Sequence, residues 1–440
     1  MTDKYRIGKR ITAALLLFFA INFSVPAFAA AIPKAPRYCT AKSVDGCILI
    51  SWSARKDVSG YRIYRRKIGK KRYKFIKKVD DRYRTYCRDK TAVPGSIYEY
   101  AVSSYRKTGR KKLCSIKTAA GNAVMCMPGA PVITRFKKSG AKVTMKWTSA
   151  RGADGYRIEK KVSGTSKWVK VRDVSAKKTK LVMEKGKKSA VYAVRTLIRR
   201  NGKILYTSER SPSVSDAGKK YTGQKILFIG DSITWGYVGK KKQAAVPFPE
   251  RVRQLTGASY KNAGIPGCNF AKKKLSDKKS IIARTMNGSV NYSGYTTIVL
   301  ACGTNDYANN VKLGSYSDTG VSTFCGAVNE TIREIKEQNP DAQIVLITPI
   351  YRIKMKKKWS SKGGYRTKNK TGHTLLDYCR AVRVLAKKHN VRCYDSQNRK
   401  IFTAQNAKYL LDDGLHPTQE GYIVLGDSVA GYLKKIMKKD

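Results

Sequence analysis

The sequence is poor in histidine and in acidic residues. Only three histidines occur among 440 residues, and 29 Asp and Glu stand against 91 Lys and Arg, a formal net charge of +62. A surplus this large favours an anionic partner, because the positive charges otherwise repel one another without compensation. Nucleic acid, anionic lipid headgroups and acidic cell-wall polymers all meet this requirement. The apolar fraction of 42% argues against a disordered chain.

Long apolar segments are also lacking, except at the N-terminus. There MTDKYRIGKR carries four basic residues, ITAALLLFFAINFSV is almost wholly apolar, and Ala27-Phe28-Ala29 forms a small-x-small site. This three-part layout predicts a secretory signal peptide at 1–29; an uncleaved anchor is the alternative, although the apolar run is short for a full span. We therefore expect a bacterial protein that is secreted or attached to the cell surface, without a transmembrane span after cleavage. Export disfavours nucleic acid as the natural partner.

CxxC pairs are absent as well, which argues against a zinc site. Five of the ten cysteines precede residue 130 and five follow residue 260, so neither group can pair completely. Many of them lie in apolar, strand-like segments. We expect most to be reduced and buried, with a disulfide such as Cys39–Cys126 as the alternative that export would allow.

Residues 30–218 contain an internal repeat. GYRI at 60–63 recurs at 155–158, and the same offset of 95 residues relates Trp52 to Trp147. The apolar residues next to each tryptophan alternate with polar ones, as in a half-buried strand. Two units rich in short strands and turns predict β-sandwiches at 30–127 and 128–218.

Three features of each unit resemble fibronectin type III domains: a tryptophan on an early strand, Gly-Tyr at the start of the next, and a late Tyr-x-Val strand. The resemblance implies a role in spacing and adhesion rather than in chemistry. We expect Trp52 and Trp147 to be core residues rather than sugar platforms.

The repeats carry most of the excess charge. Residues 31–220 contain 50 Lys and Arg against 12 Asp and Glu, a net charge of +38. A basic run such as RRKIGKKRYKFIKK at 65–78 is compatible with a merely solvated strand face. The high charge density nevertheless favours attraction to an anionic cell-wall polymer or surface.

A different pattern follows a linker at 219–223. Residues 224–440 alternate short apolar segments with amphipathic ones, which predicts a parallel sheet covered by helices on both faces. The segments expected to be strands are KILFIG (225–230), TTIVLACG (296–303), QIVLITPIY (343–351) and VRCYDS (391–396), and the main helices are expected at 323–339 and 374–390. In such sheets, reactive groups collect where strands end and loops begin.

The first of these strands ends in GDSITWG, which places Ser232 at a strand-to-helix turn, where its hydroxyl can be exposed. A second GDS at 426–428 lies within a helix-like run and follows no strand, so we interpret it as structural. A serine hydroxyl needs a base to remove its proton. Of the three histidines, His389 ends a basic helix and His373 begins one, and both are expected to be structural.

His416 lies in DDGLHP, three residues after Asp413 and directly before a proline. We expect Asp413 to hold the imidazole in one tautomer while His416 deprotonates Ser232. A turn formed by Asp and Gly without catalytic work is the alternative. Two further loops could supply an oxyanion hole, since GTND places the amide of Asn305 after a strand and NAGIPG places the N–H of Gly264 at a turn.

The order of these motifs, GDS, a glycine, GTND and DGLHP, resembles the SGNH hydrolases, also called GDSL esterases and lipases, over essentially all of 224–440. The resemblance implies a three-layer α/β/α fold without metal or cofactor. It also implies Ser232 as nucleophile, His416 as base, Asp413 as its partner, and Gly264 and Asn305 as oxyanion donors beside the Ser232 N–H.

The expected activity is that of an exported serine esterase that removes O-acetyl or other small acyl groups from a polysaccharide or cell-wall glycan. The basic segment 351–373 lacks an apolar run suited to a lipid-binding lid, and its Trp359 and Tyr365 are candidates for a substrate rim, unless the segment is simply a mobile loop. A lipase or thioesterase of the same family is one alternative. A wall-binding surface protein with a vestigial hydrolase domain is the other.

Overall fold

The computed structural model describes residues 31–217, 220–239, 242–274, 276–301, 303–355, 358–359 and 364–438. The expected signal peptide at 1–29 and Cys302 lie outside the described residues. No helix in the described ranges is both long and apolar enough to span a bilayer.

The first part of the chain forms two antiparallel sheets. One has the order β1-β2-β5, and the other has the order β4-β3-β6-β7 with β8 and β9 also paired to β6. The strands are β1 Cys39–Val44, β2 Cys47–Trp52, β3 Gly60–Lys67, β4 Lys74–Val79, β5 Tyr86–Asp89, β6 Ile97–Thr108, β7 Lys111–Cys114, β8 Thr118–Ala119 and β9 Val124–Met125. We call this unit the first β-module.

The second part repeats this arrangement, with sheets of order β10-β11-β14 and β13-β12-β15-β16, and β17 paired to β15. The strands are β10 Ile133–Ser139, β11 Lys142–Trp147, β12 Gly155–Val162, β13 Val169–Ser175, β14 Lys180–Glu184, β15 Ala190–Arg200, β16 Lys203–Thr207 and β17 Val214–Ser215. This unit is the second β-module. Both modules are all-β and antiparallel, which is consistent with the resemblance to fibronectin type III domains.

Each module is built around one tryptophan and a neighbouring tyrosine. Trp52 is 1% exposed and its ring centroid lies 5.2 Å from that of Tyr61. Trp147 is 4% exposed and lies 5.7 Å from Tyr156. The alternation of apolar and polar residues directs these rings between the two sheets, where large aromatic groups bury much apolar area. The prediction that both tryptophans are core residues is confirmed.

The last part of the chain is a parallel sheet of order β19-β18-β20-β21-β24 with helices around it. Its strands are β18 Lys225–Gly230, β19 Ser259–Gly264, β20 Thr297–Ala301, β21 Gln343–Ile347 and β24 Arg392–Tyr394, and Lys354–Met355 (β22) pairs with Lys358–Trp359 (β23). The helices are α1 Ser232–Trp235, α2 Phe248–Thr256, α3 Ile281–Met286, α4 Thr304–Ala308, α5 Phe324–Gln338, α6 Leu375–Lys388, α7 Ala407–Leu410 and α8 Gln419–Ile436. We call this part the hydrolase domain, after the family that its motifs resemble.

The sheet of the hydrolase domain is buried on both faces. Along β18, Leu227 and Ile229 join the apolar cluster that contains residues of α3, α5 and α6, whereas Ile226 and Phe228 join the cluster of α2 and α8. Successive side chains of a strand point to opposite faces, so a strand covered on both sides must be apolar throughout. This is the three-layer α/β/α arrangement that the sequence predicts.

The four predicted strands and the two main helices are present, but edge strand β19 was not predicted. Its sequence, SYKNAG, is mostly polar, and its side chains are largely exposed or half-buried, so it lacks the apolar run that marks the central strands. The predicted linker contains Tyr221, which is buried and donates a hydrogen bond to the Lys434 carbonyl. This contact fixes that part of the segment to α8.

All nine cysteines in the described residues are free, and seven of them are buried. Cys39 and Cys126, the alternative disulfide pair, are both among the free and buried ones. The prediction of reduced cysteines that pack as small apolar side chains is therefore confirmed for the described part of the chain.

Replacing Trp52 tests its role in the first β-module. We expect Trp52→Ala to lower the free energy of unfolding of the module by ~3–5 kcal/mol, because it removes a fully buried ring. Urea denaturation of the full-length protein, followed by circular dichroism, measures the change. Tyr38→Ala is the control, because Tyr38 is 56% exposed in the same module; an equal loss in both variants would contradict the assignment.

Candidate active site

The site forms where three parallel strands end side by side. Gly230, the last residue of β18, is paired with Gly264 of β19 on one side and with Ala301 of β20 on the other. The loops that follow these residues therefore leave the same edge of the sheet. Register alone brings the turns that contain Ser232, Gly264 and Asn305 together.

The turn after β18 is tightly packed around Ser232. A Cβ atom at Gly230 would lie 2.1 Å from the Thr234 hydroxyl and 2.4 Å from the Ala301 carbonyl oxygen, so only glycine fits there. Asp231 caps the short helix α1 by accepting a hydrogen bond from the Ile233 N–H at 2.8 Å. Ser232 itself is only 6% exposed.

A chain of hydrogen bonds links Ser232 to Asp413 through His416. The Ser232 Oγ lies 2.9 Å from His416 Nε2, although 184 residues separate them in sequence. His416 Nδ1 lies 3.0 Å from Asp413 Oδ2. Burial alone would raise the pKa of Asp413, but the hydrogen bonds and charge of His416, together with Lys354, hold it well below its usual range. The carboxylate is thus an acceptor, so Nδ1 carries the proton and Nε2 is left to accept from the serine hydroxyl.

The turn 411–417 holds the histidine in place. Asp413 Oδ1 accepts hydrogen bonds from the N–H groups of Leu415 and His416, at 3.1 and 2.8 Å. The Gly414 carbonyl accepts from the Ile353 N–H at 2.8 Å. The imidazole packs against the ring of Tyr237, at 4.6 Å between centroids.

The two predicted oxyanion donors differ in availability. Asn305 Nδ2 donates to the Cys268 carbonyl at 2.9 Å, which fixes the amide and leaves its second hydrogen. The Gly264 N–H already donates to the Asn262 side-chain oxygen at 3.0 Å. A Cβ at Gly264 would lie 2.5 Å from the Trp235 nitrogen, so close packing explains this glycine. Its role as a donor stays a prediction that its present hydrogen bond does not favour.

Two other N–H groups near these loops are unoccupied. Among the described residues, the N–H groups of Ser232 and Gly267 donate to no acceptor. Gly267 has φ of +80° at the tip of a turn closed by the Cys268 N–H and the Ile265 carbonyl. In NAGIPG, the Pro-Gly pair is the sequence signal for this type of turn.

Buried charged residues support the site, and sequence reasoning did not find them. Arg352 is 1% exposed and donates to both the carbonyl and the hydroxyl of Thr304, at 2.9 Å each. Asp306 accepts hydrogen bonds from the N–H groups of Phe270 and Ala271. Burial raises the pKa of Asp306 to about 7 and lowers that of Arg352 to about 10.

The remaining histidines and the second GDS lie away from this arrangement. His389 is the C-terminal cap of α6 and lies 2.6 Å from the Asn329 side chain, and burial lowers its pKa. His373 lies in the loop before α6, where its backbone N–H donates to the side-chain oxygen of Asn369. Ser428 lies within α8 and accepts a hydrogen bond from the Tyr394 hydroxyl, as a structural residue would.

Trp359 and Tyr365 do not form an exposed rim. Trp359 is 7% exposed and packs edge-on against Tyr86 of the first β-module, at 5.2 Å between centroids. Tyr365 is half-buried, packs against Tyr351 and donates to the Pro349 carbonyl at 3.2 Å. Aromatic residues in a basic loop suggested contact with a sugar, but these rings are used for packing within the protein.

The described residues contain no group of three or more His, Cys, Asp or Glu side chains placed to hold a metal ion. The site itself offers the chemistry of a serine, an imidazole and a carboxylate in one hydrogen-bonded line.

A serine with this environment, at the end of a parallel strand, is typical of ester hydrolases. Residues 228–424 match the model of the GDSL-like lipase/acylhydrolase family. The hydrolase domain therefore belongs to that family and is an SGNH-type esterase. No curated protein matches the sequence.

Several solved structures are similar to half of the chain. A protein from Lactobacillus plantarum shares 20% identity over 50% of this chain and 99% of its own, with a TM-score of 0.40. A lipase/acylhydrolase from Enterococcus faecalis shares 23% over 49% and 98%, with a TM-score of 0.37. A carbohydrate acetylesterase family member from Sinorhizobium meliloti shares 15% over 48% and 98%, with a TM-score of 0.33.

The buried carboxyl of Asp231 predicts a pH-dependent stability. Burial raises its pKa to about 6, above the value of about 3.9 in an unfolded chain. The folded state then binds the extra proton, so stability is full below about pH 4 and falls as pH rises through 6. We expect Asp231→Asn to match the wild type at pH 4 and to be more stable by about 2–3 kcal/mol at pH 7.

Urea denaturation of both proteins across this pH range measures the difference. Comparing them at each pH removes the contribution of every other titrating group. A difference that stays constant with pH, or that favours the wild type at pH 7, would contradict the raised pKa.

Proposed function

We propose that the protein is an exported serine esterase that removes small acyl groups, in particular O-acetyl groups, from a polysaccharide or cell-wall glycan. The observation that carries the catalytic part is the hydrogen-bonded line from Ser232 Oγ through His416 to Asp413. In it the serine is nucleophile, the histidine is general base and then general acid, and the aspartate orients the imidazole.

The reaction follows from the position of the protons. Ser232 Oγ attacks the ester carbonyl carbon while His416 Nε2 accepts the hydroxyl proton, and the ionised Asp413 stabilises the imidazolium. The tetrahedral intermediate collapses when His416 returns that proton to the leaving alcohol oxygen. A water molecule, deprotonated by His416, then attacks the acyl-serine, and the carboxylic acid leaves as Ser232 regains its proton.

The negative oxygen of the intermediate needs hydrogen-bond donors. The unoccupied N–H of Ser232 and the second hydrogen of the Asn305 amide are suited to this task. Gly267 is a better third donor than Gly264, since its N–H is unoccupied whereas that of Gly264 is bonded to Asn262. Removal of one such donor typically costs ~2.7–4 kcal/mol of transition-state stabilisation.

The surface of the hydrolase domain favours a polar acyl acceptor. Its exposed large apolar side chains, among the described residues, are Met286 and Tyr316, and neither lies on a loop that carries a site residue. The loop after β21 instead exposes Arg366, Lys368 and Lys370. A lipid-binding surface requires a larger apolar patch, so a glycan ester fits better than a long acyl chain.

Two alternatives are distinguished by substrate and by turnover. A lipase or thioesterase of the same family would use the same residues, with rates that rise from acetyl towards longer chains. A wall-binding protein with a vestigial hydrolase domain would not turn over, and the intact line of Ser232, His416 and Asp413 argues against it.

A panel of acyl lengths with two variants tests the proposal. We expect the full-length protein to hydrolyse p-nitrophenyl acetate faster than the octanoate or decanoate, and to release acetate from acetylated glycans. Ser232→Ala should abolish turnover, because no other nucleophile among the described residues is placed beside His416. Asn305→Ala should lower kcat by ~100–1000-fold, because it removes one oxyanion donor.

Ester turnover that survives in Ser232→Ala would remove this serine as the nucleophile. Ser428→Ala is the matched control, because it changes the serine of the second GDS, and its rate should equal that of the wild type. Rates that climb with acyl length would move the substrate class to lipids.

The basic modules are proposed to hold the enzyme on an anionic polymer outside the cell. Their net charge of +38 between residues 31 and 220 supports this role. We expect the protein to sediment with anionic cell walls at low ionic strength and to be released as salt rises, because exposed charges are screened within ~8 Å at 0.15 M. Retention that does not change with salt would refute an electrostatic attachment.

A further inference from the structure

Strand β5 of the first β-module lies against the turn that carries His416. Side chains along this strand alternate between two faces. Cys87 belongs to the core of the module, and Asp89 accepts a hydrogen bond from the buried Tyr100 hydroxyl at 2.9 Å. Tyr86 and Arg88 consequently point out of the module, towards the hydrolase domain.

Arg88 binds the backbone immediately before the catalytic turn. Its guanidinium donates to the carbonyls of Lys408, Tyr409 and Leu411, at 2.9, 2.8 and 3.1 Å. The side chain is only 7% exposed. The last carbonyls of a helix lack partners within the helix, and those at the end of α7 obtain them from another module.

Two ion pairs lie at the same contact between the first β-module and the chain before Asp413. Asp412, the residue before Asp413, lies 3.0 Å from Lys90 Nζ and 3.8 Å from the Arg88 guanidinium. Both cations come from the first β-module. The chain is thus tied to this module at Lys408, Tyr409, Leu411 and Asp412, and the next residue is the carboxylate that holds the imidazole.

The other side of the turn is held by Trp359. Gly414 has φ of +83°, and a Cβ there would lie 3.0 Å from the indole ring, so the indole packs directly on the backbone. The Trp359 ring also packs edge-on against Tyr86, at 5.2 Å between centroids, and the backbone N–H of Trp359 donates to the Asp81 carboxylate at 2.9 Å. This explains why Trp359 is buried, and it means that the first β-module supports the turn from two directions.

We propose that the first β-module is a structural part of the active site and that Arg88 is a positioning residue for Asp413 and His416. The inference rests on the proposed esterase function. Arg88 touches no reacting atom; it fixes the backbone from which the Asp413–His416 pair projects. His416 Nε2 must stay within hydrogen-bonding distance of Ser232 Oγ, and a shift of ~1 Å in such a pair can lower the rate ~100-fold.

The test is a double-mutant cycle in the full-length protein. Arg88→Met keeps the apolar stem and removes the donors, so we expect kcat for p-nitrophenyl acetate to fall ~10–100-fold, with KM changed by less than ~3-fold. In an Asp413→Asn background, the same substitution should lower kcat by less than ~3-fold, because interacting residues are not additive. Arg88→Lys, which keeps the charge, should recover part of the rate and serves if the methionine variant does not fold.

Arg251→Met is the matched control. Arg251 is also a buried arginine, 5% exposed; it pairs with Asp427 within the hydrolase domain at 2.6 Å and joins that domain to the second module by donating to the Ser213 carbonyl at 3.1 Å. It contacts none of Ser232, His416 or Asp413. Its substitution should lower stability to a similar extent but leave kcat within ~3-fold of the wild type.

Hydrogen exchange of the amides at 408–418 gives a readout that needs no turnover, and it should be faster in Arg88→Met than in the wild type. Unchanged kcat and exchange in Arg88→Met would overturn the inference, as would an undiminished loss of kcat in the Asp413→Asn background or an equal loss in Arg251→Met. If the wild type hydrolyses no ester, the proposed function fails, while the exchange rates still decide whether Arg88 anchors the turn.

Discussion

The candidate active site depends on the distance between the Ser232 hydroxyl and the His416 imidazole, 2.9 Å across 184 residues of sequence. Different contacts fix each of these two side chains. The serine follows a central buried strand whose end is so crowded that residue 230 must be glycine. The histidine lies on a turn in which Asp413 accepts hydrogen bonds from two backbone N–H groups. The parallel sheet allows the two side chains to come together, because the carboxyl ends of all its strands lie at one edge.

Three charged side chains lie near this pair. Asp231, Asp306 and Arg352 are all buried, and each has hydrogen-bond partners in the backbone of a loop that carries a site residue. A buried charge is costly unless it is paired and hydrogen-bonded. These three groups hold the loops of the site together through their hydrogen bonds. The raised pKa values of the two carboxyls reflect the loss of hydration on burial.

The contacts between the first β-module and the hydrolase domain indicate a second role for the N-terminal repeats. Charge and resemblance suggest spacers that attach the enzyme to a polymer, and that proposal concerns their exposed lysines and arginines. Arg88 and Tyr86 are different, since they are buried against the hydrolase domain. A single strand, β5, thus contributes one face to the core of a β-sandwich and the other to the support of the turn that carries His416. Binding and positioning are compatible roles because they use different faces.

The sequence alone determined the architecture and which residues meet at the centre of the candidate site. Alternating and continuous apolar runs are local signals, and so are the GDS, GTND and DGLHP motifs, which is why both β-modules, the central strands and the proximity of Ser232, His416 and Asp413 could be predicted. Edge strand β19, the occupied N–H of Gly264 and the burial of Trp359 could not. Each depends on which atoms lie opposite in space, and only the tertiary structure, through strand register and module packing, decides that.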